Sequence, residues 1–330
     1  MKIIDFEYHC YIPEVLEAMS KRKTLPIYYK DINTVQWTET ISQPHEPMKR
    51  RLERSFDQRV AAMEADGISA AVLSSAPGIE DLDFETAAEL CRKTNDSIYE
   101  HMKRYPGKFY GSATLPVMDT QAACDELKRC VEELGFSAWH VHSNFAQISA
   151  DDPRYIPIYE TAAKLGAYVY IHPKMPDHER FRGYDFPFAG PAFGFTVDTQ
   201  LVVMRLILSG LLDRHPNLQL MLGHLGEALP FLLERMTNRF ACQATPNIRM
   251  ENTISHYFKN NIYVTTSGNM SAAAFNCTKE VMGIDRMLYG SDHPYEDPKH
   301  MRAFVADIPM TEKERAMLYY ENGERILGIK

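Results

Sequence analysis

The sequence predicts an α/β fold, a closed (β/α)8 TIM barrel with insertions after its first and fifth strands. Three observations carry this expectation. Eight short apolar, β-branched runs recur along the chain, segments of helical period fill most of the intervals, and metal-capable side chains fall at the C-terminal ends of the runs. Near-continuous apolar strands alternating with helices imply a parallel sheet covered on its outer face. No GxGxxG follows the first run and no Walker loop occurs, which disfavours the doubly wound nucleotide-binding folds.

The first run, Ile3 to His9, is followed by an irregular stretch to about Leu52 containing Pro26, Trp37, Pro44 and Pro47. The second is Ser69 to Ala76. A helix over Phe84 to Tyr105 then places Ala88, Cys91, Asn95, Ile98 and Met102 on one stripe and stops at Pro106-Gly107. The third run, Phe109 to Pro116, precedes a helix over Gln121 to Leu134 that ends at Gly135. The fourth, Ser137 to Ser143, precedes one over Pro153 to Leu165 that ends at Gly166. After the fifth, Ala167 to Pro173, residues 174–198 are rich in Phe, Pro and Gly, and a helix spans Thr199 to Arg214. The sixth and seventh runs are Gln219 to Leu225 and Ile262 to Gly268. A helix over Ser271 to Met282 leads to the eighth, Arg286 to Asp292. Thr311 and Glu314 form a capping-box pattern opening a last helix through about Tyr320, expected to cover the barrel bottom.

At about 150 residues per domain, 330 residues would suggest two domains, yet one barrel of about 250 residues plus insertions fits equally well. No linker or repeat divides the chain, so residues 1–330 are expected to form one domain. Segments 10–52 and 174–198 follow strand C-termini, where such barrels keep their active sites, and are read as lids.

With 36 basic and 44 acidic side chains the formal charge is −8, which argues against a nucleic-acid partner. The cluster Lys49-Arg50-Arg51, flanked by Glu46, Glu53 and Asp57, reads as a solvated helix face. The greasiest stretch, Leu201 to Leu212, is interrupted by Arg205, so no membrane partner is expected. Asp5 and Glu7 follow the N-terminus too closely for a signal peptide, and six cysteines lack a CxxC pair. A cytoplasmic protein with reduced core cysteines is the expectation.

Glu7 and His9 end strand one, His172 strand five, His224 strand six and Asp292 strand eight. Period two puts Glu7 and His9 on one face, and inside a barrel an unpaired carboxylate is very costly. A cation resolves the conflict. His140 and His142 form a rival pair on strand four, with no matching carboxylate nearby in sequence. They are taken as interior groups.

Glu7-x-His9, His172-Pro173, the run Gly223-His224-Leu225-Gly226-Glu227 and Tyr289-Gly290-Ser291-Asp292-His293-Pro294 together resemble the amidohydrolase superfamily. Within it they resemble the branch of metal-dependent, non-oxidative decarboxylases of hydroxybenzoates and related acids. The resemblance implies that Glu7, His9, His172 and Asp292 are metal ligands, and that His224, oriented by Glu227, is a catalytic histidine beside them. It also implies a homodimer or homotetramer. Most hydrolytic members carry His-x-His on strand one and often a lysine bridging two metals on strand four. Here Glu7 replaces the first histidine and strand four lacks a lysine, which disfavours a two-metal hydrolase.

Two carboxylates and two neutral imidazoles balance one divalent ion, zinc or manganese, and leave room for a chelating ortho-hydroxybenzoate. Breaking the aryl–carboxylate bond directly would leave an aryl carbanion, so the ring carbon must first be protonated. Asp292 is the expected donor, as in the resembling enzymes, while His224 with Glu227 orients substrate or relays protons. Phe195 in the aromatic loop, Tyr295 and Arg235 are candidate substrate contacts. The alternatives are a lactone or amide hydrolase on the same barrel and a non-catalytic metal-binding scaffold.

Overall fold

The computed structural model describes residues 1–52, 54–145, 148–176, 178–243 and 245–329. Eight parallel strands form one sheet in sequence order: β1 (Ile4–Cys10), β2 (Ala70–Ser75), β3 (Phe109–Ala113), β4 (Ala138–His142), β5 (Tyr168–His172), β6 (Leu220–Leu222), β7 (Ile262–Thr265) and β8 (Met287–Leu288). The sheet closes where Phe6 N donates to Tyr289 O at 2.9 Å, His9 N to His293 O at 2.7 Å and His293 N to Glu7 O at 3.1 Å. This is the expected (β/α)8 barrel.

Two apolar layers result from alternation along the strands. Ile4, Phe6, Val72, Tyr168, Tyr170, Met221 and Leu288 pack with Leu327 of the terminal helix Asn322–Leu327 and plug the base of the cylinder. Tyr8, Leu73, Trp139, Val141, Ile171 and Val264 face outward into the layer shared with the surrounding helices. Burial on both sides explains why the strands read as continuous apolar runs.

Several boundaries differ from the expected ones. The helix expected over Thr199 to Arg214 is two, Gly194–Leu208 and Leu211–Arg214, because Gly210 between them adopts φ +72°. The buried stripe of Phe84–Arg104 runs through Ala87, Leu90, Cys91, Thr94, Asn95 and Ile98, with Ala88 only half-buried. The capping box at Thr311 is present, with Glu314 N bonded to Thr311 Oγ1 and Thr311 N to Glu314 Oε2. That helix, Glu312–Ala316, passes through a π-type turn, Met317–Glu321, into Asn322–Leu327. By length and composition the stretch Asp185–Leu208 could cross a membrane. It is interrupted between Ala189 and Gly194, and Val202, Val203, Leu206 and Ile207 are buried in the core.

The insertion after β1 holds a helix, Pro13–Ser20, an antiparallel hairpin, Ile27–Tyr29 with Thr34–Gln36, and the helix Glu46–Leu52. The solvated-face reading fails at Arg51, which is buried. Its guanidinium donates to Pro294 O at 2.8 Å and Tyr295 O at 2.9 Å, with Asp297 Oδ2 at 3.7 Å. A buried guanidinium needs such acceptors, and these tie the insertion to the loop after β8. Glu53 lies outside the described residues, as does Asp177 of the second insertion.

Candidate metal centre

A β-bulge in β1 sets the site. Asp5 stands opposite Ala71 of β2 but Tyr8 opposite Leu73, so β1 carries one extra residue between these pairs. Strict alternation from Ile4 and Phe6 would send Tyr8 into the barrel and leave Glu7 and His9 outside. With the bulge, Tyr8 joins the outer layer, while Glu7 and His9 reach into the barrel above the apolar plug.

There Glu7 Oε1 lies 3.7 Å from both His9 Nε2 and His172 Nε2, and His9 Nε2 lies 3.5 Å from Asp292 Oδ1. Donor atoms of all four residues fall within 4.8 Å of one another. Ligands about 2.1 Å from a common tetrahedral ion stand about 3.4 Å apart, so this spacing is that of a shared ion and too long for hydrogen bonds. Glu7 Oε1 and His9 Nε2 are buried and have no hydrogen-bond partner among the described residues. The remaining atoms are held: His9 Nδ1 lies 2.9 Å from Ser74 Oγ, and Thr265 Oγ1 donates to Glu7 Oε2 at 3.1 Å. An imidazole pinned at Nδ1 turns its Nε2 lone pair to the centre. The donor set therefore fits one divalent ion.

Electrostatics agree. Burial pushes Glu7 upward, but His9, His224 and His172 around it hold its carboxyl below the usual carboxylate range. Burial lowers His9 while Asp292 and Glu7 raise it more, to about 9, so without an ion the His9 ring carries a proton that a bound cation would replace. His172 is driven well below the usual imidazole value by burial and by His9, which suits a neutral ligand.

His224 is not on β6, as the sequence suggests, but on the turn that follows it. His224, Leu225, Gly226, Glu227 and Ala228 take φ between +52° and +81°, a left-handed path. Each non-glycine residue there costs about 1–2 kcal/mol, and such conformations gather at functional sites. The path brings His224 Nδ1 within 2.5 Å of Glu227 Oε1 and its Nε2 within 3.8 Å of Asp292 Oδ2. Glu227 Oε2 in turn accepts from Thr196 Oγ1 at 2.7 Å. Burial opposes charge on His224, but Glu227 and Asp292 raise it well above the usual value and keep an imidazolium facing Asp292.

Gly268 makes room for that ring. Its φ is +61°, and a Cβ there would stand 2.7 Å from His224 Cδ2. Gly268→Ala is expected to cost about 1–2 kcal/mol in backbone strain alone and to displace His224. Melting temperature and kcat should both fall, and an unchanged kcat would show that the ring position is not critical.

A cavity of about 680 Å³ opens above the centre, lined by His9, His172, His224, Glu227 and Asp292 and by Phe195 and Tyr295. Both insertions build its walls, through Tyr28, Trp37 and Met48 on one side and Phe186, Pro187 and Phe195 on the other. Arg235 does not share it: it stands exposed on helix Leu229–Ala241, and its own chain gives it no contact with the cavity. The arginine that lines the cavity is Arg59, whose guanidinium donates to His9 O at 2.8 Å. Its signal in the sequence was a charge one turn before Met63 on the buried stripe of helix Phe56–Ala65.

His140 and His142 are both interior and buried, but the fold supplies the carboxylate that the sequence around them lacks. Glu80, after β2, places Oε1 3.1 Å from His142 Nδ1 and 3.4 Å from Lys174 Nζ. Burial raises Glu80, and His142 and Lys174 pull it below the carboxylate range. His140 also lies within ligand spacing of His9 and His172, a second grouping that contains no carboxylate.

The amidohydrolase family model matches residues 8–329. Gamma-resorcylate decarboxylase of Polaromonas sp. is 33% identical over 294 residues, covering 86% of this chain and 90% of the relative. The 2,6-dihydroxybenzoate decarboxylase of Rhizobium superposes with a TM-score of 0.85 at 30% identity, over 99% of each chain. The 5-carboxyvanillate decarboxylase of Novosphingobium aromaticivorans, solved with manganese and 4-hydroxy-3-methoxy-5-nitrobenzoic acid, superposes with a TM-score of 0.88 at 27% identity, over 99% of this chain and 96% of that one. A family match over nearly the whole length, on a barrel whose strand ends converge on one ion-sized centre, means that this chain belongs to the amidohydrolase family.

Proposed function

We propose that this protein is a metal-dependent, non-oxidative decarboxylase of an ortho-hydroxylated aromatic acid, its ion held at the barrel mouth by Glu7, His9, His172 and Asp292. The observation that carries the reading is the convergence of two carboxylates and two imidazoles, with unpaired buried lone pairs, at the floor of an aromatic-walled cavity. Relatives in the family decarboxylate hydroxybenzoates, and one was solved with bound manganese and 2-nitroresorcinol.

When bound, the divalent ion supplies Lewis acidity that neutralises the chelating oxygens of the substrate. The chain's own residues do the rest. Asp292 delivers a proton to the ring carbon bearing the carboxylate; the carbon–carboxylate bond then breaks, its electron pair restores the aromatic ring and carbon dioxide leaves. Glu227 holds the His224 imidazolium beside Asp292, where it orients substrate or resupplies the proton. Phe195 and Phe186 wall the ring, and Tyr295 with Arg59 offers donors for the carboxylate, in place of Arg235. Segments 10–52 and 174–198 act as its lids.

A panel of hydroxybenzoates tests the reading by loss of ultraviolet absorbance and release of carbon dioxide. Ortho-hydroxy acids should turn over and acids hydroxylated only elsewhere should not. Turnover confined to lactones or amides would replace the reading with hydrolysis.

We further propose a cytoplasmic dimer or tetramer. All six cysteines are unpaired and four are buried, which suits a reducing compartment. Leu201 and Phe231, on the helices packed beside the 223–228 turn, are 57% and 80% exposed, and a second copy would cover such side chains. Cell fractionation and sedimentation velocity read these two points directly.

A further inference from the structure

Asp5 stands outside the ligand set, yet it is fully buried on the outer side of β1, and no cation pairs with it among the described residues. A lone carboxylate in such a place is costly unless its oxygens are satisfied. They are, by three donors from two segments. Asp5 Oδ1 accepts from Glu7 N at 3.1 Å and from Ser291 N at 2.9 Å, and Oδ2 accepts from the Ser291 hydroxyl.

These partners are telling. Glu7 sits inside the bulge that turns it and His9 into the barrel. Ser291 precedes Asp292, whose φ of +63° a non-glycine residue holds only when its surroundings fix it. One side chain thus grips the backbone on both sides of the barrel seam, next to three of the four ligands.

We infer that Asp5 is a positioning residue that sets the spacing between the Glu7–His9 pair and Asp292, and so the affinity of the centre for its ion. The inference rests on the metal reading above. Groups that orient ligands in this way typically contribute about 10–100-fold to metal affinity.

The test is titration of the metal-free full chain with Mn2+, following free Mn2+ by electron paramagnetic resonance, with circular dichroism and melting as controls on folding. Asp5→Ala should bind Mn2+ about 10–100-fold more weakly while remaining folded. Asp5→Asn should recover to within a few-fold, because its amide oxygen accepts both backbone N–H groups and its nitrogen donates to the Ser291 hydroxyl. A purely structural role would lower the melting temperature without this split in affinity. If Asp5→Ala does not fold, Ser291→Ala removes one of the three bonds and should weaken Mn2+ binding several-fold. Wild-type affinity in folded Asp5→Ala, or in Ser291→Ala, overturns the inference. Failure of the unaltered chain to bind Mn2+ overturns the metal reading instead.

Discussion

Asp292→Asn is expected to slow decarboxylation by about 10²–10⁴-fold at saturating metal, the range that a positioned general acid contributes. The substitution keeps size and one ligating oxygen but removes the proton. Asp292 Oδ1 lies 3.5 Å from His9 Nε2 and Oδ2 lies 3.8 Å from His224 Nε2, so one oxygen faces the ion and the other faces the His224–Glu227 pair. That division suits a residue that both ligates and transfers a proton. The loss should appear in kcat at metal concentrations that fill the site and should not be rescued by more metal. Full turnover by Asp292→Asn would assign the proton to another group, with His224 the nearest.

Glu7→Gln is expected to lower metal affinity by at least about 100-fold, beyond the effect of removing an outer partner. The amide oxygen of the variant would still accept the Thr265 hydroxyl bond that Glu7 Oε2 now accepts at 3.1 Å. What disappears is the charge and the ion-facing oxygen, since the amide nitrogen takes the place of Glu7 Oε1, leaving one carboxylate and two imidazoles against a dication. Dialysed protein should then be nearly metal-free and inactive, with activity returning only at high Mn2+ or Zn2+. Retention of metal through dialysis would mean that Glu7 is not a ligand. In the metal-free variant the aromatic acid loses the partner that fixes its reacting carbon beside Asp292.

Much of this was legible in the sequence, because barrel strands buried on both faces announce themselves locally. All eight runs became strands, and Thr311 and Glu314 formed the cap that their spacing suggested. Glu7-x-His9 was readable as one face, but the bulge that makes it the inner face was not, since it depends on pairing with β2. The same limit hid the contacts that cross the chain. Arg51 looked solvated because its acceptors lie 243 and 244 positions away, and Glu80 met His142 only through the fold. His224 left its strand because the left-handed path of 224–228 runs, apart from Gly226, through residues with no local preference for it. Arg235 followed His224 closely in sequence, yet the helix that carries it turns it outward.

The most direct measurement is anomalous diffraction at the manganese edge from crystals grown with MnCl2. One peak per chain is expected, within direct bonding distance of donor atoms of Glu7, His9, His172 and Asp292. A peak among His9, His140 and His172 with no carboxylate attached, or no peak in the barrel, would contradict the account.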